Sequence, residues 1–154
     1  MKFLVVALFS LAFSAQAAVH LQSKGNNPNY LFEQDPKALA SSVQLVFRAG
    51  SMLDPKGKEG LAKVAFRSLL RGTKTKTTEE FFGALERMGG SADVNIGAGR
   101  VIISLDTISE NLPAALSLLA EAVLEPALKD SEIEAIKEEE LASLNQELAN
   151  NRSI

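Results

Sequence analysis

Residues 43–51 read VQLVFRAGS and residues 54–73 read DPKGKEGLAKVAFRSLLRGT; these two runs decide the fold. In the first, Val43, Leu45 and Phe47 alternate with their neighbours, the two-residue period of a strand with one buried face. A strand is therefore expected over Ser42–Arg48, ended by Ala49-Gly50-Ser51. Asp54-Pro55-Lys56-Gly57 is built of turn formers and reads as a loop. A helix is expected from about Glu59 to Leu70, stopped by Gly72.

Working outward, Thr77 and Glu80 stand at the spacing of a capping box and open a second helix. That helix turns Phe81, Leu85 and Met88 to one side and stops at Gly89-Gly90. Ala92–Ile96 and Arg100–Asp106 read as two strands joined through Gly97-Ala98-Gly99, with Val101, Ile103 and Leu105 on one face of the second. Pro113 fits the first turn of a third helix, whose buried stripe is expected to be Leu112, Leu116, Leu119 and Val123. Asp130 or Ser131 caps a last helix, with Ile133, Ile136, Leu141, Leu144 and Leu148 on or near one face. Tyr30-Leu31-Phe32 reads as a short extra strand.

This order predicts an α+β fold, a mostly antiparallel sheet with helices packed on one face. So small a sheet carrying four helices leaves apolar surface and a sheet edge uncovered. The expectation is a domain incomplete at its C-terminus, either a fragment or half of a tight assembly.

The N-terminus has a different character. Residues 1–17, MKFLVVALFSLAFSAQA, join a positive Lys2, an apolar run and a small-x-small site at Ala15-Gln16-Ala17. That is the form of a bacterial signal peptide cleaved after Ala17. The run is too short to span a bilayer, and no other long apolar stretch follows, so an exported periplasmic or secreted product with no membrane span is expected. Residues 18–29, rich in Ser, Gly, Asn and Pro, read as a flexible lead-in to a domain over 30–154.

Composition narrows the chemistry. With 16 basic and 19 acidic residues the formal net charge is −3, and no cationic block supports nucleic-acid binding. The absence of cysteine excludes disulfides and thiolate metal sites. One histidine, His20, is too few for a two- or three-histidine metal site.

Taken together, several pieces resemble the N-terminal domain of the pitrilysin–insulinase metallopeptidases, the inverzincins. They are Leu45–Ser51, Asp54-Pro55-x-Gly57, Gly60-Leu61-Ala62, Leu69-Leu70-Arg71-Gly72-Thr73, Phe82-x-x-x-Leu85-Glu86-x-x-Gly89-Gly90, Asn111-Leu112-Pro113-x-Ala115-Leu116, and Glu132-Ile133-Glu134 with Lys137. Active members of that family carry H-x-x-E-H after Gly-Leu-Ala: two histidines bind zinc from one helical face and the glutamate is the general base. A further glutamate from a later helix completes the ligand set. By the resemblance, the histidine positions here are Lys63 and Arg67, the base position is Phe66 and the third-ligand position is Ser143. All four are replaced. Lysine and arginine carry their protons at neutral pH and offer no lone pair to a dication.

The resemblance thus implies a degenerate member with no catalytic residues, no metal ligands and no zinc, although active relatives use that metal. It implies further a partnership with an active H-x-x-E-H subunit around a chamber that holds unfolded peptides. The strand Ser91, Ala92, Asp93, Val94, Asn95, Ile96 matches the one that pairs with extended substrate in active relatives, and strand addition needs only free backbone groups. The alternative is an independent peptide-binding or scaffold protein of the cell envelope. Lys63 and Arg67 form either a basic patch toward acidic peptides or a helix face paired with nearby carboxylates. Glu138-Glu139-Glu140 spread over about 200° of a helix, so they read as a solvated face.

Overall fold

The alternation of Val43, Leu45 and Phe47 is realised as strand β3 in a computed structural model, which describes residues 19–22, 30–33 and 35–151. In chain order the strands are β1 (Val19–Gln22), β2 (Tyr30–Glu33), β3 (Ala40–Phe47), β4 (Ser91–Ile96) and β5 (Val101–Ile108). The helices are α1 (Leu61–Ser68), α2 (Thr78–Arg87), α3 (Leu112–Leu124) and α4 (Asp130–Asn151). Two units are distinguished, one ending at Ala38 and one beginning at Leu39.

In the first unit β1 and β2 pair antiparallel, with Val19 opposite Glu33 and Gln22 opposite Tyr30. β1 falls inside residues 18–29, expected to be a flexible lead-in. Val19 and Leu21 alternate with His20 and Gln22, a strand period that the turn formers following it obscure. The signal-peptide reading of residues 1–17 lies outside the described residues.

The second unit is built on a three-stranded antiparallel sheet in the order β3-β5-β4. Register sets three inward rows: Val43–Leu105–Ala92, Leu45–Ile103–Val94 and Phe47–Val101–Ile96. The central members of these rows are fully buried. Phe81 and Leu85 of α2, Leu118, Leu119 and Ala122 of α3, and Leu70 after α1 close over them in one core. The opposite face carries the polar rows Ser42–Asp106–Ser91 and Gln44–Ser104–Asp93 and the more apolar row Val46–Ile102–Asn95, in which Val46 is exposed. The architecture is the expected α+β layer.

Local chemistry explains the boundaries. The capping box of α2 forms in both directions, Glu80 N–H donating to Thr77 Oγ1 at 3.2 Å and Thr77 N–H to Glu80 Oε2 at 2.8 Å. Gly89 takes a left-handed φ of +63° after α2, as a C-terminal stop requires. Gly50 has a φ of +139°, and a Cβ there would lie 2.4 Å from the Gly97 carbonyl oxygen. This closeness lets Ser51 and Met52 N–H groups donate to the Gly97 and Ala98 carbonyls at 3.3 and 3.0 Å, tying the β4–β5 turn to the end of β3.

Two apolar stripes differ from expectation. On α3 the buried face is Ala115, Leu118, Leu119 and Ala122, while Leu116 is exposed. Apolar residues surround that helix almost completely, so periodicity does not single out a side, and the alanines allow the closest approach. On α4 Ile136 is the fully buried apolar residue, and Leu141, Leu144 and Leu148 are exposed. No helix among the described residues is long and apolar enough to cross a membrane.

Candidate functional site

Helix α1 is set in place by Asp54. Its carboxylate accepts Gly60 N–H at 2.8 Å and Ala62 N–H at 2.9 Å, satisfying two amides that the first turn leaves without intrahelical partners. The Asp54-Pro55-x-Gly57 loop is therefore a helix clamp. The sequence places that loop but does not reveal the role of Asp54, since the capping side chain lies outside the usual position just before the helix.

From α1, Lys63 and Arg67 project one turn apart on one face, with Phe66 beside them. Lys63 Nζ pairs with Glu140 Oε2, and Arg67 Nη1 lies 2.5 Å from Glu140 Oε1. Glu140 is buried at 8% exposure, whereas the two cationic side chains are each 39% exposed. The residue that answers Lys63 and Arg67 from α4 is thus Glu140, while Ser143, three positions on, is exposed. This corrects the reading of Glu138-Glu139-Glu140 as a uniformly solvated face. Glu138 and Glu139 are exposed; Glu140 is drawn inside by two opposite charges. Nothing in the local sequence separates it from its neighbours, because the selection is made by α1.

A second set of pairs follows. Arg71 Nη2 donates to Glu139 Oε2 at 2.7 Å and Oε1 at 2.9 Å, and Arg71 Nη1 lies 3.9 Å from Glu132 Oε2. Lys63, Arg67 and Arg71 thereby meet Glu140, Glu139 and Glu132, three charges of each sign. The face reads as an ion-paired junction between helices, and its cations are matched rather than left free as a patch.

Phe66 is half-buried, its ring centroid 5.1 Å from that of Phe47 at an interplanar angle of 57°. It packs against the core where the resemblance would place a general base. These residues do not fit a zinc ion: an ammonium and a guanidinium donate hydrogen bonds only, and a phenyl ring offers no lone pair. Among the described residues no group of three or more His, Cys, Asp or Glu is arranged to hold a metal.

β4 lies at one edge of its sheet. Ala92, Val94 and Ile96 turn inward, and Ser91, Asp93 and Asn95 are exposed. An open groove of about 250 Å³ is lined by Arg67, Leu70, Arg71, Phe82 and the Ala92–Val94 segment. The structure therefore brings the candidate strand, Arg67 and Arg71 to the same groove.

The profile of the family described as insulinase (peptidase family M16) matches residues 29–153. A non-peptidase homolog, YmxG, of Helicobacter pylori is 27% identical over 147 residues, covering 94% of this chain and 34% of that protein. Protease 3 of Escherichia coli K12 is 32% identical over 99 residues, covering 64% of this chain and 10% of that protein. The crystal structure of pitrilysin superposes with a TM-score of 0.76 at 27% identity, over 87% of this chain and 14% of that one. The chain thus spans about a third or less of the length of these relatives.

Proposed function

The chain belongs to the insulinase family, peptidase family M16, and from that membership we propose that it is a non-catalytic, zinc-less member serving as partner subunit of an active H-x-x-E-H peptidase. The observation that carries this reading is the closure of Lys63 and Arg67 on Glu140. The positions that would hold metal and base are filled by an ion pair and an aromatic ring, so hydrolysis falls to another subunit. The likeness to a protein named as a non-peptidase homolog supports the same reading.

In this role the chain is exported, cut after Ala17, and works in the periplasm or outside the cell. Unfolded peptides are its cargo, aligned along Ser91–Ile96, whose edge position and adjoining groove suit strand addition.

The test is co-expression with an H-x-x-E-H relative encoded beside it. The expected result is co-purification and peptide hydrolysis only in the mixture. Stoichiometric zinc in the isolated chain, together with hydrolysis by it alone, overturns the proposal. Binding of extended peptides with no protease partner would instead support an independent peptide-binding or scaffold protein of the cell envelope.

A further inference from the structure

We infer that Glu140 is the hub of a metal-independent clasp that fixes α4 against α1. The inference rests on the same Lys63–Glu140 and Arg67–Glu140 contacts as the non-catalytic reading, but it concerns stability and is read by unfolding, whereas that reading is tested by co-purification, zinc content and hydrolysis.

Two observations carry it. First, Glu132, Ile136 and Glu140 recur every four residues on α4, with Ile136 fully buried between two carboxylates. Their partners on the other side are Lys63, Arg67 and Arg71, also every four residues. Residue numbers rise along one series of partners as they fall along the other, the order of an antiparallel helix pair. Second, the burial is lopsided. Glu140 is nearly enclosed, while Lys63 and Arg67 keep much of their surface in water. The desolvation cost therefore falls mainly on the carboxylate; Lys63 and Arg67 offset it from either oxygen, Arg67 by charge proximity to Oε1 without a hydrogen bond.

A buried carboxylate that loses both partners is costly, whereas replacing the whole cluster by apolar residues of similar size is tolerated. The experiment compares thermal unfolding and amide hydrogen exchange of the full chain with K63M/R67M and with K63M/R67M/E140L, each with and without EDTA. The double variant is expected to melt roughly 10 °C lower and to lose protection at residues 133–140. The triple variant should recover most of both, and EDTA should shift none of the three proteins. A double variant too unstable to purify, beside a folded triple variant, supports the inference equally. The inference is overturned if the double variant melts within about 2 °C of the parent, if E140L gives no recovery, or if EDTA lowers the parent's melting temperature.

Discussion

Thr73 places its hydroxyl 2.6 Å from Glu121 Oε1, joining the loop after α1 to helix α3 across 48 residues of sequence. Thr75 Oγ1 reaches the same oxygen, and Lys76 Nζ donates to Oε2 at 2.8 Å. The backbone follows: Lys74 N–H donates to the Glu125 carbonyl at 3.0 Å and Ala127 N–H to the Gly72 carbonyl at 3.2 Å. The loop between α1 and α2 is thereby stapled to the end of α3, and the staple helps set the direction in which α2 leaves.

This staple is acid-sensitive. The Lys76 ammonium, then the Thr73 and Thr75 hydroxyls, pull the Glu121 carboxyl down from 4.5 to about 2. A folded-state value below the unfolded one contributes stability that is complete above about pH 4.5 and is lost as pH falls toward 2. Denaturant melts at pH 3 and pH 6 should show a smaller drop for Glu121→Gln than for the parent. An equal drop would assign the acid limb to other groups.

Gly50 should not accept a side chain. Gly50→Ala puts a methyl group against the Gly97 and Ala98 carbonyls at a φ of +139°. We expect a loss of about 2–3 kcal/mol in urea unfolding and faster amide exchange at Ser51 and Met52. By contrast Gly57→Ala has open space around it, so it should carry only the strain of its own positive φ.

The capping box of α2 is separable from the core it precedes. Thr77→Ala removes the acceptor for Glu80 N–H and should cost about 1 kcal/mol in urea unfolding. Phe81→Ala, four residues on, empties a fully buried position and should cost about 3–5 kcal/mol. If the two losses are equal, Phe81 does not pack as described.

Much of this architecture is legible in the sequence, and the rest is hidden for identifiable reasons. Thr77 and Glu80, Gly89, Pro113 and the rows of β3 and β5 act within a few residues of themselves, so their spacing announces them. Glu140 acts across the chain. Its neighbours share its side chain, and only the arrival of Lys63 and Arg67 separates it from them. The family pattern points to Ser143, yet the contact is made about one turn earlier on the same helix. Leu141, Leu144 and Leu148 have the spacing of a core stripe, but spacing identifies a stripe and not what lies opposite it.

The strand order β3-β5-β4 has a consequence for how the protein is made. β5 is the middle strand, yet Val101 lies 54 positions after Phe47 in the chain. At ribosomal speeds of roughly 5–20 residues per second, β3 waits about 3–10 s before its partner has been synthesised. During that interval Val43, Leu45 and Phe47 have no sheet to join. Nascent β3 is consequently the segment that a holding chaperone should grip, and slowing translation between α1 and β4 should lengthen its exposure.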